Sequence, residues 1–449
     1  MPPRPRSFAF CGGAYGDEGK GRLVDQYVSD YAKQGPVVVY RDNGGSNAGH
    51  TVAFDNTKVA LHQLLSGTFI KGVTTILGKG MVLHPGDLLE EIATVKAATG
   101  GTVPAKILID EMAVVLLDTH RAYEAVLQDF QTGNRGTTGR GISPAYVDVL
   151  LRHPIRMRDL KPFNKEKITK HYRLYQAMCA GLGQKLAEKE VLTLAGPKQV
   201  IGSEAAFLKR VQAQAAELEQ FISGVFDVLQ RAWTDKKTAC VFEKGQGIGL
   251  DVRWGVYPDF TASETTFSGI FSSTEGIVNP RDIEIRAGVI KATYMSSVGI
   301  RKLPSAMDEA LAHQIREDAD EYGATTKRPR DVVHIDIPSL SFFAKVGDVT
   351  HLVATHMDIV YKDTPIKVCV SYTKNGKTVP YRPDQKYLNT VKPVFKQFAP
   401  WDVVALRKAK TRAELPVAAR KYIAFLEKAI GVPMLMITTG PKREEGILL

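Results

Sequence analysis

The sequence predicts an α/β fold built on a large, mainly parallel sheet flanked by helices. Three observations carry that expectation. Short β-prone runs alternate with segments of helical periodicity along the whole chain, the pattern of strand–helix crossovers. A glycine-rich turn separates the first such run from the first helix. No internal repeat, low-complexity tract or break in composition marks a linker, so the 449 residues read as one elaborated domain with a helical insertion near 160–235 and small β insertions.

The elements follow in order. Ser7 to Cys11 is a short β-prone run, residues 12–21 are glycine-rich, and Arg22 to Lys33 carries apolar residues at helical spacing. Val37 to Tyr40, Ile107 to Ile109 and Ala239 to Phe242 are compact apolar runs ending near polar or glycine residues, as buried strands do. Ser203 is placed to cap one long helix reaching about Trp233, with Phe207, Val211, Leu218, Ile222, Val225 and Leu229 on one core-facing side. Further on, Leu352 to Ala354, Ile366 to Tyr372 and Met434 to Ile437 read as strands. Asn375-Gly376 is a hairpin signal, and Pro416 to Ile430 reads as a helix.

Composition narrows the function. A charged fraction of 24% and a hydrophobic fraction of 44% are those of a soluble globular chain and exclude wholesale disorder. No run approaches the roughly 18 apolar residues of a membrane span, and the start of the chain lacks the apolar core of a secretory signal. The four cysteines, at 11, 179, 240 and 369, are scattered without CxxC spacing, which disfavours a disulfide framework or a zinc site. A reducing, cytoplasmic setting is the expectation. Lys plus Arg exceed Asp plus Glu by 59 to 48, a net +11. No long basic block, zinc-finger spacing or aromatic RNA motif accompanies that excess, so small anionic ligands suit it better than nucleic acid.

Two segments carry chemistry. In Gly12-Gly-Ala-Tyr-Gly-Asp-Glu-Gly-Lys-Gly-Arg22, a glycine turn between strand and helix offers backbone N–H groups and a helix N-terminus to a phosphate, with Lys20 adding charge. It is not a Walker A loop, because Gly21 stands where a magnesium-binding Ser or Thr belongs. Asp17 and Glu18 inside the turn would repel a phosphate and make more sense as a metal ligand or a base. The plain alternative is a glycine turn with solvated charges. The second segment, Asp42-Asn-Gly-Gly-Ser-Asn-Ala-Gly-His-Thr51, directly follows a strand run and forms a plausible ligand rim. Beside a phosphate loop, His50 becomes a candidate acid or transition-state donor.

Together, Gly16-Asp-Glu-Gly-Lys-Gly21 and Gly44-Gly-Ser-Asn-Ala-Gly-His-Thr51 resemble the adenylosuccinate synthetase family. The resemblance continues in family order through Gly136-Thr-Thr-Gly-Arg-Gly-Ile-Ser-Pro-Ala-Tyr146, Glu243-Lys-Gly-Gln-Gly247, residues 251–266, Gly323-Ala-Thr-Thr-Lys-Arg-Pro-Arg330, Thr355-His-Met-Asp358 and Thr438-Thr-Gly-Pro441. It implies a P-loop-NTPase-like fold, a homodimer, and GTP-dependent ligation of IMP and L-aspartate through a 6-phosphoryl intermediate.

The resemblance also assigns roles. Asp17 matches the base that takes the N1 proton of IMP, and His50 the acid that stabilises the departing GDP; Lys20 and Gln246 complete the catalytic set. Mg2+ would be held by Asp17 and the Gly49 carbonyl. IMP contacts map to Asp17, Glu18, Gly19, Lys20, Asn47, Ala48, Gly49, His50, Thr137, Thr138, Gln246, Thr261 and Arg328, with Arg152 reaching into the neighbouring subunit's site. GTP contacts map to Gly16, Asp17, Glu18, Gly19, Lys20, Gly21, Arg22, Gly49, His50, Thr51, Arg330, His356, Met357, Asp358, Thr438, Thr439 and Gly440. Aspartate contacts map to the loop of Ala324, Thr325, Thr326, Lys327, Arg328, Pro329 and Arg330. Asp358 accepts hydrogen bonds from guanine N1–H and the 2-amino group, which adenine lacks in that arrangement.

Several positions depart from the family pattern. His356 stands where Lys is usual, Lys302-Leu-Pro-Ser-Ala306 replaces Pro-Phe-Pro-Thr-Glu, Ala14-Tyr15 replaces Gln-Trp, and Val149 takes a commonly basic position. These leave two alternatives. One is a 2-aminoadenylosuccinate synthetase acting on dGMP, a viral branch in which serine is typical at the base position held here by Asp17. The other is a GTP-binding switch that has lost the ligase chemistry.

Overall fold

The computed structural model describes residues 5–54, 57–130, 137–194, 196–297, 299–323, 328–440, 442 and 444–449. They form two compact units, each assembled from separated stretches of chain. The first comprises Met1–Ser7, Val24–Gly245 and Gly269–Asp282; the second comprises Phe8–Leu23, Gln246–Ser268 and Ile283–Leu449.

In the first unit, five parallel strands lie in the order Ile222–Ser223, Lys106–Asp110, Val73–Leu77, Val37–Arg41 and the portion of Ala239–Gly247 up to Gly245. Val37–Arg41 is buried at every position, the signature of a strand covered on both faces. The predicted helix from Ser203 to Trp233 is interrupted. Ser203 does cap it, accepting from Ala206 N at 3.3 Å, but the helix spans Glu204–Leu218. Ile222 and Ser223 instead pair as a strand with Ile109 and Asp110, and a second helix runs Phe226–Thr234. All six apolar residues assigned to the core are buried. A two-residue edge strand satisfies this apolar pattern as well as a continuous helix does, and tertiary pairing decides between them.

In the second unit, Ser7–Gly12, Ile285–Lys291, His351–Thr355 and Met434–Thr438 pair in parallel, and Gly446–Leu448 closes the edge antiparallel. A smaller mixed sheet joins Tyr294–Ser297, Asp331–Asp336, Ile366–Lys374, Lys377–Val379 and Lys392–Phe398. Its hairpin turns at Asn375 and Gly376, with φ of 51° and 74°, the mirror-image turn that matches strand twist. All four cysteines are buried thiols. No helix among the described residues is long and apolar enough to cross a membrane.

Glu91, on the helix Pro85–Ala98 of the first unit, is buried and accepts from three successive amides, His62 N at 3.0 Å, Gln63 N at 2.9 Å and Leu64 N at 3.0 Å. Burial pushes its carboxyl up to about 7, more than those amides pull it down. The native state therefore keeps a proton that the unfolded chain releases near 4.5, and stability falls as pH rises from about 4.5 to about 7. E91Q should remove that loss, so the gap between its melting midpoint and the wild type's should move in the variant's favour by a few degrees across this window. Parallel midpoints in thermal denaturation at several pH values would contradict it.

Candidate active site

The glycine turn belongs to the second unit and is shaped from within. Glu18 is buried, and its Oε1 accepts from Ala14 N at 3.2 Å and Gly16 N at 2.7 Å, while Oε2 meets Lys20 Nζ at 3.1 Å. Of the two carboxylates the sequence places in the turn, one is thus committed to the loop's own amides and lysine. Asp17 is the other, and it sits at φ 62°, a conformation costly for a residue with a Cβ. Gln246 likewise has φ 56°. The turn packs directly on the backbone beside it: a Cβ on Gly12 would come 2.5 Å from Glu18 Oε2 and 2.7 Å from the Gln246 carbonyl oxygen, and one on Gly247 would come 2.5 Å from Gly16 N.

A chain of buried charges orients Asp17. Its Oδ2 lies 3.0 Å from Arg330 Nη2, and Arg330 Nη1 donates to Glu321 Oε2 at 2.8 Å. Glu321 also accepts from the Tyr294 hydroxyl at 2.6 Å and pairs with Lys291, whose Nζ donates to Ser296 Oγ at 2.5 Å. Burial drives the Glu321 carboxyl up, but the Lys291 and Arg330 cations outweigh it and hold the group well below the usual carboxylate range. Burial lowers Lys291, only partly offset by Glu321.

Around this cluster the aspartate-loop residues divide. Gly323 N donates to Arg328 O at 2.8 Å and Arg330 N to Glu321 O at 2.9 Å, pinning the two ends of the segment. Arg328 and Pro329 are exposed and Arg330 is buried. Ala324, Thr325, Thr326 and Lys327 lie outside the described residues.

The Thr355-His-Met-Asp358 segment begins at the end of the His351–Thr355 strand. Thr355 Oγ1 donates to the Glu18 carbonyl at 2.8 Å, tying this segment to the glycine turn. His356, at φ 57°, places its Nδ1 3.0 Å from Thr355 Oγ1 and its ring edge-on to Tyr294. Burial, reinforced by Lys291, lowers its pKa to about 4, so it is neutral at physiological pH. Met357 is buried, its N bonded to Thr438 O at 3.1 Å and its carbonyl to Trp401 Nε1 at 2.9 Å. Asp358 Oδ2 meets Arg407 Nη2 at 3.0 Å, and Arg407 Nε donates to the Thr439 carbonyl at 3.2 Å. Arg22 approaches from the turn's helix, its side chain on the Lys442 carbonyl. Asp358, Thr438, Thr439 and Gly440 are therefore brought together.

In the first unit, His50 opens the strand His50–Phe54 and pairs through Nδ1 with Glu243. Glu243 is fully buried and also accepts from Ser66 N at 2.9 Å and Ser66 Oγ at 2.7 Å. Despite its burial, His50 and Ser66 hold Glu243 below the ordinary carboxyl value. Asn47 Oδ1 accepts from Gly45 N at 3.3 Å, and Ala48 N donates to Gly45 O at 3.2 Å, so the rim is a local turn with Gly49 half-buried. Thr51 lies in the strand backbone. Thr137 Oγ1 accepts from Gly139 N at 3.2 Å, Thr138 is exposed, and Arg152 is exposed at φ 67° just past the helix Ile142–Leu150. In the second unit, half-buried Thr261 donates through its N to Leu250 O at 2.8 Å.

His120, Asp148 and His171 form a separate buried group whose potential ligand atoms all lie within 4.8 Å. The Leu117 amide donates to His120 Nδ1 at 2.8 Å, which keeps that ring's proton on Nε2, aimed at Asp148 Oδ2 3.0 Å away. The lone pair a metal would need there is not available.

Comparisons with known proteins decide the family. A sequence model described as adenylosuccinate synthetase matches residues 9–447. The chain belongs to the adenylosuccinate synthetase family. It is 34% identical over 448 residues to the adenylosuccinate synthetase of Chlorobaculum parvum, covering 99% of this chain and 98% of that one. To that of Acetivibrio thermocellus it is 33% identical over 444 residues, with 98% of each covered. The fully ligated adenylosuccinate synthetase from Plasmodium falciparum superposes with a TM-score of 0.85 at 27% identity, covering 99% of this chain and 100% of that one. A cyanophage S-2L succinoaminodeoxyadenylate synthetase bound to dGMP and dATP reaches a TM-score of 0.56 at 16% identity, a likeness of fold alone.

Membership in the adenylosuccinate synthetase family makes the chain a GTP-dependent ligase that forms a C–N bond, in a family that generally uses Mg2+. Motif reasoning singles out Asp17, Lys20 and His50 and passes over Glu243 and Glu321, which the structure places against His50 and Arg330. Glu243 lies inside a motif already singled out, and its place three residues before Gln246 was the available signal. Glu321 carried none. One family departure has a partner in space: the Arg301 guanidinium lies 5.1 Å over the Tyr15 ring, and its Nη2 reaches Asp259 Oδ2 at 3.1 Å.

Replacing Glu321 by Gln preserves shape but leaves Lys291 and Arg330 without their buried counter-charge. E321Q should lower the unfolding free energy by about 3–5 kcal/mol, the usual cost of breaking a buried pair from one side. Urea denaturation checks this; an unchanged midpoint would show that the network contributes nothing to stability.

Proposed function

We propose that the chain joins IMP to L-aspartate, consuming GTP and releasing adenylosuccinate, GDP and phosphate through a 6-phosphoryl-IMP intermediate. The observation that carries this reading is Asp17: a second carboxylate in the glycine turn, on a left-handed backbone and oriented by Arg330, where a loop built only to cradle phosphate would need no acid beyond Glu18, which the loop's own amides and lysine occupy.

In the first step the Asp17 carboxylate takes the N1 proton of IMP. The O6, now carrying the negative charge, attacks the γ-phosphorus of GTP, the bond to the β–γ bridging oxygen breaks, and GDP leaves with the electron pair. His50 stabilises that departing charge through Nε2. The Glu243 carboxylate supports this role, because it occupies Nδ1 and stabilises an imidazolium form. Lys20 and Gln246 complete the group. The aspartate amine then attacks C6, phosphate leaves, and the amine gives up a proton.

Asp17 and the Gly49 carbonyl are the proposed Mg2+ ligands; hard oxygen donors suit that ion, and it would neutralise phosphate charge when bound. The Asp17 carboxylate, 28% exposed, is open enough to take this role, with Arg330 the group a cation would compete against. Arg328 and Arg330 would receive the aspartate carboxylates, and Asp358 the guanine edge. Arg152 is proposed to enter a neighbouring subunit's site in a homodimer. Its neighbours Leu150 and Leu151 are 80% and 60% exposed, an apolar surface suited to a partner.

A coupled absorbance assay with IMP, L-aspartate, GTP and Mg2+, repeated with dGMP and with ATP, tests this. Adenylosuccinate should form with IMP, and D17N should lose at least about 100-fold in kcat, the lower end of what a general base supplies. Turnover of dGMP without IMP would sink the substrate assignment, and GTP hydrolysis independent of both would make the chain a switch.

A further inference from the structure

The carboxylate that would read the purine of the donor nucleotide already has a partner. Asp358 is 11% exposed, and Arg407 Nη2 lies 3.0 Å from its Oδ2. The same guanidinium donates through Nε to the Thr439 carbonyl at 3.2 Å, so Arg407 bridges the two segments that form the base pocket. Arg407 rides on a short helix, Val403–Lys408, capped by Asp402, and its side chain is 52% exposed. It can leave the pocket by rotating into solvent, with no backbone movement required.

A guanidinium presents adjacent N–H donors in one plane. Guanine presents the same pattern along its N1–H and 2-amino edge. Arg407 gives one such N–H, at Nη2, to Asp358 Oδ2, an acceptor that the guanine edge also needs, so guanine must displace it to be read. Adenine has an acceptor at N1 and no 2-amino group, so it makes no claim on Asp358 and displaces nothing. We propose that Arg407 is a specificity-determining residue for the donor nucleotide: it competes with guanine for Asp358 and narrows the margin by which the chain prefers GTP over ATP. The inference deepens the function proposed above and rests on Asp358 being the base-reading group.

The test measures GDP and ADP dissociation constants by calorimetry with Mg2+, using the full-length wild type, R407Q, D358N and the double variant. Freed of its competitor, R407Q should raise the preference for GDP over ADP by about two- to fivefold, the factor corresponding to a partly exposed ion pair. The gain should vanish in the D358N background, because the two residues act on one bond. A GDP preference that is unchanged or lowered in R407Q, or a gain that persists without Asp358, overturns the proposal. Wild-type turnover measured alongside keeps the two questions apart. Absence of adenylosuccinate would overturn the ligase reading, while the binding ratios still decide the role of Arg407.

Discussion

One buried carboxylate organises the second unit's chemistry. Glu321 is 1% exposed and collects Lys291, Tyr294 and Arg330, which arrive from the end of a parallel strand, the start of the smaller sheet and the far side of the aspartate segment. Buried cations are tolerable only when a counter-charge and hydrogen bonds meet them. Glu321 supplies both, and through Arg330 it determines where Asp17 points. The left-handed backbone at Asp17 and His356 is held by the same surroundings, since neither residue would adopt it unaided. Strain at Asp17 and His356 and saturation of the charges behind them are two sides of one arrangement.

A comparable division operates in the glycine turn. Glu18 uses its charge on the loop's amides and on Lys20, so the loop is shaped before any nucleotide arrives. Asp17, one residue earlier, keeps its carboxylate for partners outside the loop. Adjacent acids thus turn to different partners, Glu18 into the loop and Asp17 to Arg330, with the backbone left-handed at Asp17.

Much of this was legible in the sequence where function is written as contiguous residues. The strand–glycine–helix opening, the Asn-Gly hairpin and the family motifs, Thr355-His-Met-Asp358 among them, are all local patterns. What stayed hidden depends on distant partners. Glu243 meets His50 across 193 positions of chain, and Arg407 meets Asp358 across 49. Such pairs have no spacing to recognise. The interrupted helix after Ser203 failed for a related reason: apolar residues at 218, 222 and 225 fit a helix face, and only the partner strand at Ile109 reveals the break. Arg301 over Tyr15 is a further case, a departure from family pattern whose packing partner lies far away in the chain.

The placement of the thiols has a practical side. Cys11, Cys179, Cys240 and Cys369 all lie in the interior, and burial pushes the thiols at 179, 240 and 369 above their ordinary acidity, away from the reactive thiolate. Thiol-directed labels therefore meet a silent native background. A single cysteine engineered onto an outward helical position such as Lys408 would carry the entire fluorescence or spin signal. The scaffold is thus ready for spectroscopy of its own side-chain rearrangements, with none of its natural cysteines removed.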